Sequence, residues 1–191
     1  MAQEPTREDA YELLTEFTDN PSLIKHGLAV EAAMRAYARH LGEDEETWAT
    51  VGLIHDFDYQ QNPTEETHLH VGTRILRERG WPGAWVLAVA SHADYMGVAR
   101  DTPMAKALFA VDELTGFLTA CALVRPDRSV AEVKVKSVKK KLKDKAFARG
   151  VNREDVRKGV EELGVEMDEH IVRVRDAMAT ISDQLGLPEP A

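Results

Sequence analysis

The stretch Leu53-Ile54-His55-Asp56-Phe57 decides how this chain is read. Trp48, Val51, Leu53 and Ile54 recur at the spacing of an apolar helix, and that helix ends at a polar pair followed at once by Phe57. An imidazole and a carboxylate in such a setting face an interior or a cleft, where polar groups without partners are costly. One divalent cation can satisfy several of them together. Imidazole suits zinc, iron, nickel or manganese, and a carboxylate adds a hard ligand that neutralises charge. The His-Asp dipeptide alone is common by chance; its apolar frame gives it weight.

Outward from this pair, helix signals recur and strand signals do not. Thr6 and Asp9 form a capping box ahead of Tyr11, Leu14 and Phe17. Asn20-Pro21 opens a second helix that Gly42 closes after Leu41. Beyond the third helix, Asn62-Pro63 is a loop. A fourth helix is expected over Glu65 to Arg79, stopped by Gly80-Trp81-Pro82, and a fifth over Ala84 to about Met96. Thr102-Pro103 caps a long sixth helix that ends before Pro126. Ser129 to Arg149 reads as two helical pieces. Asn152 caps a helix to Leu163. A last helix runs from about Asp168 to Leu185 on the spacing of Ile171, Val174, Met178, Ile181 and Leu185. Leu187 to Ala191 reads as a loose tail. The expectation is an all-α helical bundle in one domain over 1–191, with a core of about 21–125 and a C-terminal helical extension of about 126–186.

The sixth helix contains a second anomaly. Asp112 sits inside Leu108-Phe109-Ala110-Val111-Asp112-Glu113-Leu114, the most apolar run in the chain. A buried carboxylate needs a partner, which an arginine or a neighbouring helix end can supply as well as a metal. Glu113 lies about 100° round the helix and need not share the site. His26, between Ile24 and Leu28, and His92, after Val89 and Ala90, also lie on helices with apolar neighbours. Four helices thus bring ligand-type groups toward one interior, as bundles do when they build a metal site between central helices.

Composition narrows the class. Apolar residues make up 43% and charged residues 30% of the 191, an ordinary globular balance. The net charge of −9 argues against general nucleic-acid binding. Lys134 to Arg149 nevertheless carries eight basic residues and one acid, so this segment is +7 and the rest of the chain −16. Such a stretch can serve one anionic ligand, or simply coat a solvated helix. The start of the chain carries no basic and apolar leader pattern, and the apolar stretch from Met104 to Val124 holds Lys106, Asp112 and Glu113, which argues against a membrane span. Cys121 is the single cysteine, so no internal disulfide can form. A cytoplasmic location is expected.

The ordered set His26, His55-Asp56, His92, Asp112 resembles the HD superfamily of metal-dependent phosphohydrolases. The likeness extends to Ile24-Lys25-His26, His55-Asp56-Phe57-Asp58-Tyr59, His68 followed by Gly72, Ser91-His92-Ala93-Asp94-Tyr95, Asp112-Glu113-Leu114-Thr115-Gly116 and the lysine-rich stretch to Gly150. It covers roughly Pro21 to Leu185 and is similar to the small bacterial and archaeal HD proteins classed as predicted hydrolases. The resemblance implies that His26, His55, Asp56 and Asp112 hold a first divalent metal ion. It implies that His68 and His92 add a second, with Asp56 shared between the two and central to catalysis. His68 is preferred to His70 for its spacing to Gly72. Mn, Fe, Zn, Ni, Co and Mg are not distinguished. His40 and His170 have no place in the pattern and are expected on the surface.

The chemistry implied is hydrolysis of a small phosphorylated substrate, a nucleotide or similar ester, by a metal-activated water. Asp58 can take the proton of that water, or support a ligand histidine from behind. Lys25, Lys136, Lys139, Lys140 and Arg149 are candidates to neutralise substrate phosphate, with solvent exposure as the alternative. Two other functions use the same residues: a di-iron oxygenase of the HD type, and a metal-stabilised binding or regulatory module with little turnover. No P-loop, dinucleotide fingerprint, Cys-x-x-Cys or Gly-x-Ser-x-Gly motif is present.

Overall fold

The computed structural model describes residues 4–188. Ten α-helices and one 3-10 turn, and no strand, are found among the described residues. In chain order they are α1 (Arg7–Phe17), α2 (Pro21–Leu41), α3 (Glu45–Ile54), α4 (His70–Glu78), α5 (Gly83–Ser91), the 3-10 turn Asp94–Met96, α6 (Pro103–Leu123), α7 (Val135–Leu142), α8 (Arg153–Leu163), α9 (Met167–Ala179) and α10 (Ser182–Leu185). No helix among the described residues is long and apolar enough to cross a membrane.

Local chemistry sets most of the boundaries. Thr6 and Asp9 cap each other's backbone at the head of α1. Asn20, Thr102 and Asn152 each accept backbone N–H groups at the starts of α2, α6 and α8, and proline fills the first turn of α2 and α6. The two long helices are the frame. α3 packs along α2, and α6 is flanked by α2, α5, α8 and α9. Tyr37, Phe57, Leu108, Leu114, Phe117 and Ile171 are among the large side chains fully buried between them. α6 and α8 approach so closely that a Cβ on Gly159 would lie 2.6 Å from the Ala110 Cα.

Five expectations are corrected. Ser129 to Arg149 forms one helix, α7, with turns and bends on either side, and not two helical pieces. The helix expected over Glu65 to Arg79 forms only from His70; residues 64–69 are turns, and Leu69 is held at φ 62° with its side chain fully buried. The fifth helix stops at Ser91, and His92 caps it. The last helix breaks after Ala179 into α9 and α10. Of the expected loose tail, Leu187 is 1% exposed and its N–H donates to the Ser182 carbonyl, while residues 189–191 lie outside the described residues.

His170 is the further correction. Expected on the surface, it is fully buried on α9. Its Nε2–H donates to the Ala110 carbonyl at 2.9 Å, and its Nδ1 accepts from the Tyr37 hydroxyl at 2.5 Å. One neutral imidazole thereby ties α9 to α6 and α2.

Candidate metal centre

Each cluster residue is placed by the end or face of a helix. His26 projects from the second turn of α2. His55 caps the end of α3, and Asp56 follows it. His92 caps α5, Asp112 is midway along α6, and His68 stands in the turns before α4. The structure brings together two groups of metal-ligand atoms, His26, His55, Asp56 and Asp112 in one and Asp56, His68 and His92 in the other.

Asp56 joins them with one oxygen facing each group. Its Oδ2 lies 3.5 Å from His55 Nε2 and 3.9 Å from His26 Nε2. Its Oδ1 lies 3.1 Å from the Nε2 atoms of both His68 and His92. Asp112 Oδ1 completes the first group, 3.0 Å from His26 Nε2 and 3.4 Å from His55 Nε2, and those two nitrogens are 3.2 Å apart.

The far side of each ring fixes its tautomer. His55 Nδ1 lies 2.8 Å from the Gly52 carbonyl and His92 Nδ1 2.7 Å from the Val89 carbonyl. A carbonyl only accepts, so both Nδ1 atoms carry the proton. His68 Nδ1 donates to Asp58 Oδ1 at 3.1 Å. Thr115 donates its hydroxyl to the Asp112 carbonyl and so accepts from His26 Nδ1, at 3.4 Å. Four Nε2 lone pairs therefore converge on carboxylate oxygens. Lone pairs facing carboxylates repel each other unless positive charge lies between them, which is the demand a divalent cation meets.

The electrostatics carry the same message. Burial pushes the His55 pKa down, but Asp56 and Asp112 overcome it and lift the value to about 9. Burial likewise opposes protonation of His68, yet Asp56 and Asp58 raise it to about 9. Burial would raise the carboxyl pKa values, and the neighbouring imidazoles hold Asp56 and Asp112 well below the usual range instead. The cluster holds positive charge strongly, as protons or as metal.

Of the two roles open to Asp58, the structure favours support of a ligand histidine over acceptance of a proton. It is fully buried. Its Oδ1 takes the His68 N–H, and its Oδ2 takes the backbone N–H groups of Leu69 at 3.3 Å and Gly72 at 3.0 Å. A Cβ on residue 72 would lie 2.6 Å from Asp58 Oδ1, so glycine is required there. Asp58 orients His68 from behind. His70, two residues on, is exposed with its ring near that of Tyr95.

The cluster opens on a cavity of about 350 Å³. A larger cleft of about 720 Å³ between α2 and α9 has no convergent ligand set. Tyr59, Tyr95 and Phe109 line the smaller cavity, and so do Glu113, Asn152 and Asp155. No lysine or arginine does. The basic candidates are elsewhere. Lys136, Lys139 and Lys140 are exposed on α7, where Lys139 pairs with Asp168 at 2.7 Å. Lys141 of the same helix acts on Cys121, nine residues beyond Asp112 and about 14 Å along α6. Arg149 is exposed before Asn152 but does not line the cavity. Lys25 is exposed and reaches toward Gly186.

Three residues escaped the sequence reading. Glu113 lies about 100° round α6 from Asp112, yet it lines the cavity, accepts the Asn152 N–H at 3.0 Å, and is pushed up to about 7 by burial and by Asp112. Asn152 and Asp155 arrive on the head of α8, in the segment read as a mere extension. The available signal was the Asn152 cap, which marks a helix start but not the direction it faces.

Residues 23–116 match the family model described as HD domain. No curated protein and no solved structure matches the chain. The matched span contains all six residues of the two ligand groups. With that match joined to an all-helical fold and a His/Asp cluster able to hold metal, the chain carries a domain of the HD superfamily over residues 23–116.

Proposed function

We propose that the protein is a metal-dependent phosphohydrolase acting on a small phosphate ester, a nucleotide among the candidates. The observation that carries this reading is the division of six donors into two groups around Asp56, at the floor of a cavity of small-molecule size. His26, His55, Asp56 and Asp112 would hold one divalent ion, and Asp56, His68 and His92 a second. Ions bound there would supply hydroxide at neutral pH, by lowering the pKa of water, and would stabilise charge developing on phosphate.

The chain's own part is orientation. Gly52 and Val89 carbonyls, Asp58 and Thr115 hold the four imidazoles with Nε2 forward. His55, His68 and His92 are nearly or wholly buried, so the floor is dry on the protein side while Asp56 and Asp112 face the cavity. The test is metal analysis of protein purified without chelator, followed by a screen of phosphate mono- and diesters with several metals. Turnover that chelator abolishes and Asp56→Asn removes is the expected result. Metal-loaded protein that hydrolyses none of them overturns the reading.

The same shared-carboxylate arrangement also suits a di-iron oxygenase. Oxygen consumption by iron-loaded protein, with spectroscopic change at a coupled iron pair, would favour that second function. Tight binding of one phosphate compound without turnover would favour a regulatory module.

A further inference from the structure

The cavity beside the cluster has a one-sided charge. Among its lining residues Asp94 is paired, with Arg100 at 2.9 Å and Lys158 at 2.5 Å. Glu65, Glu113 and Asp155 also line it, and none of them forms an ion pair among the described residues. Asp155 and Glu113 are steadied by Asn152, whose side-chain amide donates to Asp155 at 2.7 Å and whose backbone N–H donates to Glu113. These carboxylates are the wall of an open cavity whose floor is the convergent set of imidazoles and carboxylates.

The charge balance points to the ligand. Asp56 and Asp112 offset half the charge of two divalent cations, and a phosphate dianion offsets the other half. Glu65 and Glu113 are then left without counter-charge, and Asp155 has only the field of Lys158 and Arg100, which already pair with Asp94. A second phosphate would meet Glu65, Glu113 and Asp155 in the lining, while the nearest cations, Arg100 and Lys158, are already engaged by Asp94, an arrangement that repels it. A cation on the organic part of the substrate would be held by them. The half-exposed rings of Tyr59 and Tyr95 offer faces to the same group. Phe109 already carries two cations, with the Arg100 guanidinium 3.7 Å and the Lys158 ammonium 5.6 Å from its centre. A cavity of about 350 Å³ is at the small end of ligand pockets, which run from roughly 300 Å³ upward.

We propose that this site selects a small phosphate monoester whose organic part carries an ammonium or similar cation, held by Glu113, Asp155 and Glu65, rather than a di- or triphosphate. The inference rests on the phosphohydrolase reading and names its substrate class.

The test is calorimetric binding to manganese-loaded protein of matched pairs, aminoethyl against hydroxyethyl phosphate and aminobutyl against hydroxybutyl phosphate. Inorganic phosphate is titrated separately. The ammonium member of at least one pair should bind about tenfold tighter, the scale of one charge-assisted hydrogen bond. The isosteric double variant Glu113→Gln/Asp155→Asn should bring that ratio near one while leaving hydroxyalkyl phosphate binding in place. Glu65→Gln, at an exposed turn, should lower the ratio without touching the α6–α8 contact. Equal affinities within both pairs, with inorganic phosphate still bound, overturn the substrate class alone. Absence of binding by inorganic phosphate and by every ester overturns the phosphohydrolase reading with it.

Discussion

His170 sets up a pH dependence of stability that the cluster does not share. Burial lowers its pKa from the usual 6.5 to about 4, with the Ala110 carbonyl opposing and Arg173 assisting. The folded protein therefore keeps the ring neutral between those values while the unfolded chain binds a proton. Stability is fully present above 6.5, is lost as pH falls through that window, and falls no further below about 4. The whole shift corresponds to about 3 kcal/mol, and the part reached at about pH 5 to about 2 kcal/mol. In a chain of this length that is a fall in Tm of roughly 4–8 °C. The assay is thermal and urea unfolding of wild type and His170→Gln at about pH 7.5 and about pH 5, both in chelator. His55 and His68 titrate alike in the two proteins, so their effect cancels in the comparison. The variant should start less stable, because Tyr37 and Ala110 lose their partner, and should then lose about 2 kcal/mol less on acidification than wild type does. Equal losses in the two proteins would refute the assignment of a neutral buried His170.

Three further outcomes are expected. Saturating manganese, at about a hundredfold above its dissociation constant, should stabilise wild type by about 2.7 kcal/mol, and Asp56→Asn should abolish most of that because both ligand groups use this carboxylate; differential scanning calorimetry with and without metal decides it. Asp58→Asn should weaken the ion held by His68 and His92 by about 10–100-fold while sparing the His26 group, read as loss of one of two binding steps in a metal titration. Gly159→Ala should cost roughly 1–3 kcal/mol, because its Cβ would meet the Ala110 backbone at 2.6 Å; an unchanged urea midpoint would show that α6 and α8 can separate freely.

What the sequence made legible is chemistry tied to short spacing. Thr6, Asn20, Thr102 and Asn152 announce helix starts because a cap acts within three residues of itself. Asp112 was conspicuous because a carboxylate in an apolar run demands a partner, and the cluster provides it. The misplaced elements depend on partners far away in the chain. Residues 64–69 have helical spacing, but Asp58 draws the Leu69 and Gly72 N–H groups to itself and His68 with them, so the turn that serves the cluster forms instead of helix. His170 looked like a surface residue because its partner Tyr37 is 133 positions distant. The lysines of α7 were recognisable as a charged face, yet a charge run does not say which end of the bundle it meets, and α7 packs on α6 and α9 toward Cys121 rather than over Asp112.

The same limit explains the reversal at the cavity mouth. Lys136, Lys139, Lys140 and Arg149 are candidates in the sequence to receive phosphate at that mouth, with solvent exposure as the alternative. In the folded chain α8 brings Asn152 and Asp155 to that mouth, and Glu113 joins them. On the phosphohydrolase reading proposed above, the positive charge that receives phosphate would come from ions on His26, His55, Asp56, His68, His92 and Asp112. The side chains at the mouth would then act on the rest of the substrate, so phosphate attraction should depend on metal occupancy and hardly on Lys136, Lys139 or Lys140. Replacing those three lysines together with glutamine should leave phosphate binding to metal-loaded protein unchanged within about twofold even at low ionic strength, where surface charge acts at longest range. A larger loss would return the basic helix to the site.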